Sequence, residues 1–336
     1  MRNQSRGHAA MVVSLLAMFI GVSSFLPAEE INREFHETFD VEPGMLLKLK
    51  HGDGDVTITP WEQDTLDVQV RYRAKSNNVV GWSSKVDLDV KFSREGDTIY
   101  VVGTEPRLVS IGVSSFREYE YNYKVQAPSY LMLDLIGEDG DVSIEEWRAE
   151  LELRIEDGDV KLTSIHSPRT EITLEDGDLE ISGLQGELLV ETEDGDLEIY
   201  DCQSDHGKIR TEDGDVELHR CKGNFEIQAD DGDIRMSKLT AGEVEIRVAD
   251  GSIDLDLLPS EKLELILRVG DGDIDVALDE KISAAFDLET RDGRIRVHAA
   301  SVADLHKENR RVTGRVGDGT GSIHMSSVDG NITLRQ

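Results

Sequence analysis

Carboxylates at fixed spacing are the first feature of this 336-residue sequence that could do chemistry. The phrase IEDGDVKL at 155–162 returns as LEDGDLEI at 174, TEDGDLEI at 192, TEDGDVEL at 211 and ADDGDIRM at 229. Each copy sets one aspartate on either side of a glycine: Asp157 and Asp159, Asp176 and Asp178, Asp194 and Asp196, Asp213 and Asp215, Asp231 and Asp233. Paired carboxylates serve two chemistries. They can hold a hard cation such as Ca²⁺, which takes roughly six to eight oxygens, or act as the acid and base of glycoside hydrolysis. They also have a purely structural use, because glycine takes the positive φ of a tight turn and the Asp before it can bond to the backbone two residues on. The ten aspartates are candidate Ca²⁺ ligands, although the GGxGxDxUx phrase of Ca²⁺-binding rolls is missing. No motif requires a cofactor.

Other chemistry is sparse. GxSxG, Walker-type, HExxH and CxxC motifs do not occur. His51, His166, His206, His219, His298 and His324 share no common phase in the repeat. When nearly every repeat carries the same Asp pair, nothing singles out one pair for a shifted pKa or a dedicated cleft. The residues therefore favour a protein that is not an enzyme and has no small-molecule substrate. A secreted polysaccharide-active enzyme and an envelope regulatory module that binds another protein are the alternatives.

The elements that position the carboxylates follow from the spacing of the turn glycines. Gly140, Gly158, Gly177, Gly195, Gly214, Gly232, Gly251, Gly272 and Gly293 lie 18, 19, 18, 19, 18, 19, 21 and 21 residues apart, the mark of a repeat architecture. A degenerate copy is expected at Gly321, and the phrase VDGNITL follows it. Apolar residues alternate before each turn, as in Leu151, Leu153 and Ile155, and after it, as in Val160 and Leu162. A further apolar position follows at Ile165, Leu184, Cys202, Cys221 and Leu239. Alternation with period two means strands with one buried face.

Two all-β folds fit this grammar. A two-residue turn could pair Ile155 with Val160 in a hairpin meander. Alternatively, each unit is one coil of a β-solenoid, both strands pointing their apolar faces inward. The near-constant coil length of 18–21 residues favours the β-solenoid, or β-helix-like fold, because in-register stacking needs equal coils and a meander does not. Stacking then predicts an inward column of Ile155, Leu174, Thr192, Thr211, Ala229, Val248 and Val269. It predicts an outward ladder of Lys161, Glu180, Glu198, Glu217 and Arg235 as well. The aspartates before the glycines form one row, from Asp157 to Asp292, and those after them a second. Neighbouring carboxylates about 5 Å apart repel by about 3 kcal/mol at an effective dielectric of 20, so the rows require dispersal into water, proton uptake or bound cations. Cys202 and Cys221 fall one coil apart, within the reach of a disulfide. A bond and a stacked pair of buried thiols both satisfy that placement.

Composition sets the surroundings. There are 69 Asp and Glu against 36 Lys and Arg, a formal net charge of −33, which repels nucleic acid and attracts cations. Arg2 and Arg6 precede the apolar run MVVSLLAMFIGV, and SSFLPAEE follows. This is the order of a secretory signal peptide over residues 1–28, cut after Ala28 or after Ser24 or else retained as an uncleaved anchor, and it predicts an exported protein of the periplasm, envelope or extracellular space. Residues 31–135 read as a β-rich entry domain that caps one end, and 136–336 as the solenoid repeat domain.

The phrase FDVEPGMLLKLKHGDGDVTITPW, a β-rich excursion and serial EDGDV and EDGDL units behind a signal peptide resemble a bacterial adhesin-like family, domain of unknown function 4097. The sequence is similar also to the head domains of autotransporter adhesins. The resemblance covers residues 35–334. It implies a β-helix-like fold and an envelope or extracellular location, and brings no catalytic residues. With the residue reading, it points to a non-enzymatic binding or scaffolding surface for a protein or glycan partner.

Overall fold

The structure is a computed structural model that describes residues 29–76, 86–87, 89–103, 107–108 and 116–336. The signal peptide expected at 1–28 lies outside the described residues. All regular elements described are strands.

The repeats stack as coils. Leu151–Asp157 lies parallel to Arg169–Asp176, with Ile155 beside Leu174, and Val160–Ile165 lies parallel to Leu179–Gln185, with Val160 beside Leu179. Hairpin pairing of Ile155 with Val160 is thereby replaced by pairing to the next coil. Two parallel faces result, one of strands before the turn and one of strands after it. The expected inward column forms, each member registered on the next and each buried. Its flanking column, Leu153, Ile172, Val190, Ile209, Ile227 and Ile246, is buried as well. Full burial of one such aliphatic side chain contributes about 1.5–3 kcal/mol, and repetition along the axis offsets the shortage of aromatics.

The turn explains its glycine. Gly195 has φ of +118°, and a Cβ there would stand 2.1 Å from the carbonyl oxygen of Gly177 in the coil beneath. The turns nest too closely for any side chain. A second corner repeats after the post-turn strand, where Glu146, Ser164, Gly183, Asp201, Arg220 and Lys238 all have positive φ, one per coil. This left-handed residue redirects the chain so that Ile165, Leu184, Cys202, Cys221 and Leu239 close the core.

At the N-terminal end, Leu46–Lys50 and Asp55–Pro60 form a coil against Met132–Asp139 and Val142–Glu145. Beneath it lie Thr98–Gly103 and Phe116–Ala127, also parallel. Antiparallel strands then finish that end: Val90–Glu95 on one face, and Thr65–Ser76 followed by Glu29–Asp40 on the other.

The C-terminal end departs from sequence order. Glu264–Asp271 pairs with Gly321–Asp329, and Gly321–Asp329 pairs in turn with Ala284–Asp292. The coil that contains Gly330 is therefore inserted between those of Gly272 and Gly293. The row expected to pass from Asp271 to Asp292 passes through Asp329 instead. Gly321 is not a turn glycine: it opens the inserted strand. Gly330 fills the turn position, where a Cβ would stand 1.9 Å from the Gly272 carbonyl oxygen. Arg311–Val316 closes the outer edge of Ala284–Asp292 in antiparallel fashion.

Candidate functional site

The acidic turns form one edge of the solenoid, and the two aspartates of each turn differ in role. The aspartates before the glycines are exposed and stacked, Asp157 beside Asp176, Asp176 beside Asp194, and Asp213 beside Asp231. Their backbone carbonyls take the glycine N–H of the preceding coil, as Asp176 does from Gly158 at 3.1 Å.

The aspartates after the glycines build a hydrogen-bonded ladder. The backbone N–H of Asp159 donates to Oδ1 of Asp141 at 3.0 Å, Asp178 to Asp159 at 3.0 Å, and Asp196 to Asp178 at 3.0 Å. Asp215 donates to Asp196 at 2.9 Å and Asp233 to Asp215 at 2.8 Å. The ladder begins at Asp55, which accepts from Asp141. It continues through Ser252, whose N–H donates to Asp233, to Asp273, which accepts from Asn331 at 2.7 Å. It ends where Arg294 donates to Asn331 Oδ1 at 3.2 Å. One oxygen of each carboxylate is thus committed to the next coil, and a charge-assisted bond of this kind is stronger than a neutral one. Sequence reasoning counted both rows as candidate ligands and missed this role. Of the three substitutes at that position, Ser252 and Asn331 are side-chain acceptors and only Arg294 is not, and that was the available signal.

Among the described residues, no three His, Cys, Asp or Glu side chains converge as a metal-binding group. The edge is a line of charge. At Asp139 the carboxyl is pushed above the ordinary range, first by desolvation and then by Asp53, Asp157, Asp141 and Asp55 around it.

Next to this edge runs the outward ladder. Lys161, Glu180, Glu198, Glu217 and Arg235 occupy successive coils in register. Lys161 Nζ meets Glu180 at 2.6 Å, and Arg235 reaches Glu217 at 3.4 Å, Asp215 at 3.3 Å and Asp233 at 2.8 Å. A cation therefore brackets each end of three stacked glutamates. Between the two rows lies a shallow groove of about 460 Å³, lined by Asp159, Asp178, Asp196, Lys161, Glu180 and Glu198 among others.

Cys202 and Cys221 are both free thiols and both buried. Their registers are bracketed by Tyr200 beside His219 and Gln203 beside Lys222. The Cys221 thiol, together with burial, pushes that of Cys202 well above the usual range. On the nearby corner Arg220 grips Asp201 with two bonds, at 2.6 and 2.7 Å.

These features define a parallel β-solenoid with an acidic turn edge. The chain belongs to the Toastrack DUF4097 family, which it matches over residues 46–266 and 226–335. No curated protein matches it. Among solved structures it is similar to a "putative cell adhesion protein" from Clostridium sporogenes, with 14% identity, 90% of this chain and 100% of that one covered, and a TM-score of 0.22. It is also similar to a "putative lipid binding protein" from Parabacteroides distasonis, with 12% identity, coverage of 91% and 97%, and a TM-score of 0.36. A "putative adhesin" from Bacteroides fragilis shows 15% identity, coverage of 90% and 97%, and a TM-score of 0.32.

Proposed function

We propose that this protein is a non-enzymatic, exported β-solenoid whose outer face binds an extended partner, a surface protein or a glycan, as an adhesin or envelope scaffold. The observation that carries this reading is the ladder from Lys161 to Arg235. It presents one charged side chain per coil at the strand spacing of about 4.8 Å, on a support fixed by the aspartate ladder. A rigid periodic surface suits a partner that is itself long or repetitive. Family membership supports the reading, and the leader-like order of residues 1–28 supports export.

The test is binding of the purified chain to arrays of envelope glycans and to native envelope extracts, with cross-linking. A triple variant, Glu180→Lys, Glu198→Lys and Glu217→Lys, is expected to lose the captured partner while keeping its β circular dichroism. Capture unaffected by the triple variant would remove the face from the argument, and reproducible cleavage of any glycan would replace the reading with an enzymatic one.

A further inference from the structure

The post-turn face ends in an unpaired strand edge at both ends of the molecule. At the C-terminal end, Ile295–His298 pairs with Ile332–Arg335, and among the described residues no strand pairs its other side. The neighbouring pre-turn face is treated differently there, since Arg311–Val316 covers Ala284–Asp292. At the N-terminal end, Glu29–Asp40 pairs with Thr65–Ser76, and its outer side is likewise unpaired among the described residues. Such edges are templates for another chain.

The two edges match in three respects. Two antiparallel pairings separate Glu29–Asp40 from Phe116–Ala127, which runs parallel to Asp55–Pro60. Glu29–Asp40 therefore runs in the same direction as the post-turn strands, Ile295–His298 included. Each edge also carries half-buried apolar side chains that pack on the core and lack a covering coil, Phe35 and Phe39 at one end, Ile295 and Val297 at the other.

The third match is charge. The strand Glu29–Asp40 contains five acidic residues and one arginine. Residues 291–336, in contrast, carry eight Lys and Arg against five Asp and Glu, in a chain whose net charge is −33. Arg294 and Arg296 stand on or beside the open strand, and Arg296 and His298 are exposed on its outer side.

We propose that copies of this chain assemble head to tail, the edge Ile295–His298 of one copy adding as a parallel neighbour to Glu29–Asp40 of the next. The contact is heterologous and does not close on itself, so it produces a filament and not a fixed dimer. It would continue the post-turn face, and with it the outward ladder, from one molecule into another. This lies beyond the binding reading and does not depend on it.

Sedimentation velocity over a concentration series tests this on the purified chain in the form the cell accumulates. The salt is about 0.15 M, where the screening length of about 8 Å removes long-range repulsion but leaves contacts. Wild type is expected to grow in mass with concentration. The acidic variant Arg294→Glu with Arg296→Glu, and the basic variant Glu37→Arg with Asp40→Arg, are each expected to lose association at least tenfold. Mixed together they should assemble again, because the acidic edge of one now meets the basic edge of the other. Circular dichroism of each variant alone confirms that it is folded. A wild type that stays monomeric up to about 1 mM, variants that assemble like wild type, or a mixture that stays monomeric would each overturn the proposal.

Discussion

Asp178 Oδ1 accepts the backbone N–H of Asp196, one coil away, at 3.0 Å. Asp196 then does the same for Asp215 at 2.9 Å. Replacing Asp196 with Ala leaves the Asp215 N–H without its acceptor and is expected to cost about 1 kcal/mol. Asp196→Asn keeps an acceptor and should cost less. Asp194→Asn, on the other row, removes a repelling charge without touching the ladder and should be neutral or stabilising. Chemical denaturation of the three variants checks the order, and equal losses at Asp194 and Asp196 would dismiss the division of labour between the rows.

Cysteine chemistry tests the register. Because Cys202 and Cys221 share a buried column on adjacent coils, oxidation is expected to join them within one molecule, with loss of two hydrogens by mass spectrometry. The hydrogen bond from the Cys202 thiol holds Cys221 below the usual thiol range, which makes Cys221 the attacking thiolate, while burial of both sulfurs should keep the reaction slow until the coil opens. Two thiols that alkylate independently at the same rate, with no bridged product, would contradict the 19-residue offset.

Acid should act first through His51. Its ring is fully buried beside Tyr123 at 5.4 Å between centroids, with Nε2 lacking a protein partner. Burial lowers its pKa to about 4 from 6.5. The unfolded chain binds the proton more readily, so stability is full above about pH 6.5 and falls towards pH 4, by roughly 3 kcal/mol in total. Asp139, with a raised pKa, acts in the opposite sense, as protonation relieves crowding when pH falls through its folded value. Melting temperature between pH 7 and pH 4 should decline in wild type, and the decline should flatten in His51→Leu.

We propose that the acidic edge gathers cations diffusely and does not coordinate Ca²⁺ tightly, since one oxygen of each second-row aspartate already holds a backbone N–H. Melting temperature should rise equally with Ca²⁺ and with Na⁺ at matched ionic strength. A gain at micromolar Ca²⁺ that a chelator reverses and Asp194→Asn with Asp213→Asn abolishes would establish Ca²⁺ sites instead.

Much of the fold was legible because parallel in-register stacking needs coils of one length. The ladder from Lys161 to Arg235 follows from the 18- and 19-residue intervals alone, and the column from Ile155 to Val269 needs only the 21-residue interval besides. Stack order at the C-terminal end was not legible by counting, since the Gly272, Gly293 and Gly330 coils share one grammar and each could sit on either of the others. The ladder supplies the missing rule. A coil with another above it needs an acceptor after its glycine, as Asp273 and Asn331 provide. Arg294 only donates, which marks its coil as the last.

The inserted coil separates the order in which the polypeptide emerges from the order in which it is stacked. Residues 284–298 leave the ribosome or a translocon before 321–335, yet their seat lies on top of those later residues. Growth by simple addition therefore halts at the Gly272 coil until residues 321–335 arrive. A chain cut short before it would keep an open, adhesive sheet end and an unseated cap. Presence of residues 321–335 is in this way converted into a physical property of the product, one that a protease or a chaperone can sense without reading any sequence.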